Sequence, residues 1–284
     1  MTEPPDFDLH RPGNEPAPPP EPPPRRASSV GVALTLLLVA AGAAAYFAFV
    51  WRQSAAPSRS ASATPPAAAA PASPPLGGKG DPITLPPLDA SDTLVRTLVQ
   101  ALTESPAVMA WLPTRGLIRN FTVVVANIAD GVTPAKHVAV LRPAAPFRIV
   151  TRDGTAYVDP RSYDRYATIA DAIASVDAGG AAKLYATLKP RIEDAHRDLG
   201  ASDSFDRTLE RAIVALLNTP VVDGPERLKL KGIGYAYADE RIESLTPAQK
   251  QLLRMGPRNV RVIKTKLRDI AVSLGIPPSH LPAP

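Results

Sequence analysis

The strongest charge pattern in this chain lies near its C-terminal end. From Lys250 to Arg268 there are seven Lys/Arg residues and no Asp or Glu. On a helix, Arg258, Arg261, Lys264 and Arg268 fall on the side opposite Val260, Ile263 and Leu267. The ordinary explanation is a solvated basic face above a packed apolar one. The functional alternative is a surface for an anionic polymer or a lipid head group. Tyr163, Arg165 and Tyr166 form a second candidate. On one helix the two tyrosines, three residues apart, share a face. They either pack under a neighbouring hairpin with Arg165 in solvent, or present an aromatic and guanidinium recognition edge.

Other chemistry is sparse. Of four histidines, His10 and His280 lie near the ends, and His137 and His196 lack a ligand-spaced partner. A zinc site takes three or four protein ligands. The absence of cysteine excludes a thiolate nucleophile, disulfides and Cys-ligated metal. The G-x-S-x-G, S-x-x-K and H-E-x-x-H patterns do not occur, and Gly232-x-Gly234 lacks a third glycine and a following helix. Glu193-Asp194 and Asp239-Glu240-Glu243 carry carboxylates that could do acid–base work in a cleft, but a solvated helix face is the simpler account. The expectation is a protein that is not an enzyme and takes no cofactor or metal.

The elements that must position these residues are legible from periodicity. Asp89-Ala90-Ser91-Asp92 offers caps for a helix carrying Leu94, Val95, Leu98, Val99 and Leu102. Ser105-Pro106 opens a short helix through Trp111, and Leu117–Ile128 reads as another. Asp153-Gly154, between Phe147–Arg152 and Thr155–Val158, predicts a β-hairpin with a type I′ turn. Asp159-Pro160 starts a helix with Tyr163, Tyr166, Ile169, Ala170 and Ile173 on it. Asp177 caps a helix over Ala178–Leu199, which Pro190 should bend. Phe205–Leu217 is helical up to Pro220; Leu228–Lys231 alternates like a strand, and Gly232–Tyr237 either continues it or pairs nearby. Thr246-Pro247 and Gly256-Pro257 begin two final helices. The folded part is therefore expected to be α+β, mostly helical, with a small antiparallel sheet that includes one β-hairpin.

Preceding it is one uncharged stretch from Ala27 to Trp51. The 21 residues Val30–Val50 hold no charge, Asn, Gln or Pro. As a helix they would rise about 31 Å, close to the roughly 30 Å hydrocarbon core of a bilayer. Signal-peptide cores are shorter, and this run continues through Tyr46 and Trp51, residues suited to a membrane interface. Residues 27–51 are thus expected to be a single transmembrane helix. Arg11, Arg25 and Arg26 on one side against Arg52 and Arg59 on the other favour an N-terminus inside. Residues 1–26 read as a disordered Pro-rich cytoplasmic tail and 52–88 as a Pro/Ala/Ser linker, since 19 of the 34 prolines fall in the first 88 residues. That leaves 89–276 as the folded domain and 277–284 as a disordered C-terminal tail. The whole excess charge of +5 belongs to the part after the linker, because residues 1–88 carry six charges of each sign.

Three stretches are familiar together: FRIVTRDGTAYVDPRSYDRY (Phe147–Tyr166), ASVDA (Ala174–Ala178) and LTPAQKQLLRMGPRNVRVIKTKLRDI (Leu245–Ile270). The chain from about Leu88 to Ile276 resembles the proteobacterial, membrane-anchored family catalogued as domain of unknown function 3014. The resemblance implies an anchor, a linker and a domain, and no catalytic residues. In a Gram-negative cell the domain would then face the periplasm from the inner membrane. The expected function is a non-catalytic binding or scaffold domain of the cell envelope. Its expected partners are the membrane, and an anionic polymer, lipid head group or envelope protein. Nucleic acid would fit the charge only on the cytoplasmic side, so none is expected. The alternative is an envelope enzyme, such as a cell-wall polymer hydrolase, with unassigned catalytic residues.

Overall fold

In the computed structural model the described residues are 74–283. The expected tail, transmembrane helix and most of the expected linker lie outside them. Among the described residues no helix is long and apolar enough to cross a membrane.

The described chain is mostly helical, with one four-stranded antiparallel sheet in the order β1-β2-β3-β4. Helices α1 (Asp92–Gln100), α2 (Pro106–Trp111) and α3 (Leu117–Ala129) come first. Asp92 does not simply cap its own helix: its carboxylate accepts the Gly116 and Leu117 N–H groups at 2.8 Å each, closing the start of α3. Strands β1 (Ile149–Arg152) and β2 (Thr155–Val158) form the expected hairpin, with Arg152 opposite Thr155. Asp153 and Gly154 both take positive φ, 49° and 71°, as a type I′ turn requires.

The single helix expected after Asp159 is two: α4 (Arg161–Asp164) and α5 (Ala167–Ala174). Arg165 and Tyr166 lie in the break, where the Tyr163 carbonyl accepts from Tyr166 N and from the Asn259 side chain. Helix α6 (Ala178–Asp198) is capped by Asp177, which accepts from Gly180 N at 2.7 Å, and continues through Pro190. Helix α7 (Phe205–Leu217) follows. Strands β3 (Arg227–Lys231) and β4 (Gly234–Tyr237) form a second hairpin, which the sequence left open, and β3 pairs with β2 through Ala156–Leu228 and Tyr157–Arg227. Then come α8 (Glu240–Glu243), α9 (Pro247–Leu253) and α10 (Pro257–Leu274). Thr246 and Gln249 make a reciprocal capping box on α9.

Three apolar clusters hold these elements. The largest joins α1, α3, α6 and α7 with the end of α10. A second joins Tyr166 and Ala170 to Leu252, Met255, Val260 and Ile263. A third lies under the sheet, around Val158, Leu228, Tyr237 and Leu253.

Both ends of the domain were misjudged from sequence. Residues 76–88, read as linker, form a strap along α6. Leu76 is buried, Gly77 N donates to Leu274 O at 2.8 Å, and Asp81 N donates to Thr187 Oγ1 at 2.9 Å. Arg191 binds the carbonyls of Leu85 and Pro86. Residues 277–283, read as tail, are also docked: Leu281 packs on the main cluster, His280 Nδ1 lies 2.7 Å from Glu210, and Arg268 binds Pro282 O. Pro/Gly-rich composition signals no helix or strand, but a chain can still be fixed by side chains reaching it from elsewhere.

The strap is tightest at Gly80, where a Cβ would come within 2.5 Å of Thr187 N. Backbone there cannot yield cheaply, so Gly80→Val should lower stability by about 1–3 kcal/mol. A urea midpoint unchanged by that substitution would mean that the strap contributes nothing to the folded unit.

Candidate functional site

The basic stripe lies on α10, and each of its cations has a partner within the domain. Arg258 lies 3.5 Å from Asp171 of α5, and Arg261 pairs with Asp223. Lys264 donates to Thr219 O at 2.9 Å, and Arg268 to Pro282 O at 2.9 Å. Burial, and then Arg268, push the Lys264 pKa below its ordinary value. The stripe therefore ties α10 to α5, to the segment after α7 and to the C-terminal strand of chain. Arg258 and Arg261 keep exposed faces beyond those contacts.

Tyr163, Arg165 and Tyr166 do not share one helical face. The break between α4 and α5 sends Tyr163 to the cluster under the sheet and Tyr166 to the cluster on α10. Arg165 is half-buried and sits over the Tyr166 ring at 4.8 Å and the Phe147 ring at 5.6 Å, with a bond to Ala145 O. Cation–π contact of this kind fastens the entry to β1 rather than leaving the guanidinium in water. The carboxylates singled out from sequence also hold structure: Glu193 accepts Phe205 N at the start of α7, and Glu243 binds Lys231, Lys250 and Tyr237 N. His196 is a core residue, edge-on to Phe205 at 5.3 Å. Among the described residues no group of three or more His, Asp or Glu could hold a metal ion.

Two features were missed from sequence. The first is an apolar cavity of about 250 Å³ between α1, α2, α3 and α6, half open to solvent. Val99, Leu102, Trp111, Phe121, Leu184 and Tyr185 are among its lining residues. Of the small residues that open α6, Ala181 lines it, while Leu102, just after α1, packs so closely on Gly180 that a Cβ there would come within 2.8 Å of it. The indole of Trp111 lines the cavity, yet its Nε1–H is buried with no partner. A second apolar hollow shares Val108, Trp111 and Val176 with it, extending the lining towards α5. The run of small residues was the available signal.

The second is Glu226, just before β3, only 4% exposed. Burial pushes its carboxyl up to about 7, against the opposing pull of the Tyr163 and Tyr237 hydroxyls. Its Oε2 is buried with no partner. Burial pushes both tyrosines up as well, with the Glu226 charge adding to the effect, while Arg254 pulls Tyr237 the other way. Nothing in the local sequence marks Glu226, because the groups around it, Tyr163 and Tyr237, come from other parts of the chain.

This is a helical domain with a small sheet, an apolar cavity and one isolated buried carboxyl. The profile of a family described as "Protein of unknown function (DUF3014)" matches residues 117–271, more than half of the 284-residue chain. The chain belongs to that family. The match runs from α3 to α10, so α1, α2 and the strap lie before it. No curated protein and no solved structure matches the chain.

Glu226 gives a pH signature with a definite sign. Its folded pKa is above its ordinary one, so the native state binds the proton more tightly. The stabilisation is complete below about pH 4.5 and is lost as pH rises to about 7. The loss is at most about 3 kcal/mol. Glu226→Gln should remove that slope and raise stability at pH 8, measured by denaturation across the range. An unaltered slope would place its origin in another group.

Proposed function

We propose that this protein is a single-pass binding protein of the bacterial cell envelope. Residues 27–51 anchor it in the inner membrane, residues 1–26 lie in the cytoplasm, and the folded domain faces the periplasm. The domain acts without catalysis, by admitting a single apolar chain into the cavity between α1, α2, α3 and α6. The observation that carries this reading is the cavity itself. An apolar void of about 150 Å³ suffices for benzene to enter, and this one is larger, at about 250 Å³. Ligand sites are concave and mostly apolar, and the lining here, with Val99, Leu102, Phe121 and Leu184 beside Trp111, is of that kind. The remaining exposure of Arg258 and Arg261 is consistent with an anionic head group or polymer nearby.

A second reading, an envelope hydrolase, is favoured by one observation: a carboxyl held near pKa 7 in Glu226 is suited to general acid chemistry. Tyr163, its neighbour, also lines a cleft with Arg152, Tyr157 and Pro225. A glycosidase would need a second carboxylate facing the first, and Asp159 is engaged by Arg161.

Two measurements test the leading reading. Residues 71–284 form a compact unit and contain Trp111 as their only tryptophan. Adding bromododecanoate to that unit should quench Trp111 fluorescence saturably, and Ala181→Leu, which places a larger side chain in the cavity lining, should weaken the quenching about tenfold or more. Linear quenching, indifferent to Ala181→Leu, would remove the cavity as the site. For topology, alkaline phosphatase fused after Pro284 of the full chain should be active in cells. An inactive phosphatase with a bright cytoplasmic reporter at the same position would reverse the orientation.

A further inference from the structure

The two hairpin tips of the sheet differ in character. The β1–β2 tip is Asp153-Gly154, preceded by the exposed Arg152. The β3–β4 tip is Gly232-Ile233. Gly232 takes φ +59° and Ile233 does not enter the left-handed region, the pattern of a type II′ turn. That turn needs its glycine; it does not need an apolar residue at 233. Yet Ile233 projects completely into solvent, at 112% of its reference exposure.

Behind it, the cross-strand pair Leu230 and Tyr235 is also exposed, at 78% and 42%. Alternate residues of a strand share a face. Leu230 and Tyr235 therefore continue the face of Leu228 and Tyr237, which are buried in the cluster under the sheet. The hairpin runs past the edge of its own core and carries the apolar face with it. Arg227, Lys229 and Lys231 line the opposite face of β3, all exposed.

We propose that the β3–β4 hairpin docks on a bilayer surface containing anionic lipids. Ile233, Leu230 and Tyr235 enter the interface, and Arg227 and Lys229 meet the head groups, while Lys231 keeps its ion pair with Glu243 at 3.0 Å. Charge complementarity selects this occupant: apolar side chains with cationic neighbours match the apolar interior and negative surface of such a membrane. Long basic stems lie along apolar surface while their charges stay in water, and a tyrosine at the boundary suits the head-group level. Shape agrees. A stable protein interface covers about 800 Å² on each side, more than a projecting two-residue turn provides. Reach agrees as well, on the proposed membrane-anchor reading: the 24 residues between Trp51 and Leu76 span at most about 80 Å when extended. The surface contact itself does not depend on that anchor or on the apolar cavity.

The cysteine-free chain allows a direct test. Ile233→Cys in the full-length protein is labelled with a polarity-sensitive fluorophore and reconstituted into nanodiscs, which leave both membrane faces accessible. Leu199→Cys, exposed before the α6–α7 connection, is the control. In a phosphatidylcholine–phosphatidylglycerol bilayer with about one third anionic lipid, the label at 233 should shift to the blue. It should be quenched by brominated acyl chains and shielded from iodide, while the label at 199 stays aqueous. Pure phosphatidylcholine should weaken the shielding, and so should Arg227→Gln combined with Lys229→Glu, by about tenfold. Circular dichroism of that variant should match the parent, which separates loss of docking from loss of fold. Iodide access at 233 equal to that at 199 in the anionic bilayer would overturn the proposal. So would shielding that follows protein concentration and ignores lipid charge, because a second copy of the chain would then be the occupant.

Discussion

Closure of the main core depends on Phe205, the first residue of α7, whose side chain is completely buried. Three rings surround it: Phe121 from α3 at 5.8 Å, Tyr185 from α6 at 6.3 Å, and His196 from α6 at 5.3 Å. Removing such a ring from a comparable core costs about 3–5 kcal/mol. The backbone around it is held by charge. Glu193 accepts Phe205 N, satisfying a donor that the start of α7 would otherwise leave free. The next residue, Asp206, binds the Tyr185 hydroxyl, the Lys189 ammonium and the Leu76 amide. One dipeptide therefore joins α3, α6, α7 and the N-terminal strap. The strap and the C-terminal segment converge on the same helices, which explains why neither behaves as a free end.

The cavity is the counterpart of that closure. Around Phe205 the main cluster packs large rings; at the start of α6 it has Ala182, and the neighbouring Ala181 lines the cavity. The cavity is half open to solvent, so part of its apolar lining stays in water, at a cost in stability. Glu226 carries a cost of a different sort. A carboxyl buried with an oxygen unpartnered costs stability unless it is protonated, and the domain holds it just behind the sheet, away from the main core.

The sheet shows how one element serves two environments. Its inner residues, Val158, Leu228 and Tyr237, seal the third cluster against α8 and α9. Beyond them the apolar face of the β3–β4 ribbon, Leu230 and Tyr235, stays in solvent. The basic stripe on α10 shows the reverse. Four cations that look like a free surface in sequence are distributed among Asp171, Asp223, Thr219 O and Pro282 O.

Periodicity and local chemistry determined most of the elements. The apolar spacing of α3, α7 and α10, the Asp-Gly turn, the Asp177 cap and the Thr246–Gln249 box act within a few residues, so sequence alone discloses them. What only the tertiary structure decided were relations between distant segments. Asp92 closes α3 from 24 residues away. Helix α5 begins anew at Ala167, so Tyr163 and Tyr166 part company. The strap, the cavity and the isolation of Glu226 follow the same rule. Each is set by which side chains arrive from elsewhere, and long-range pairing leaves no periodic trace in the residues it joins.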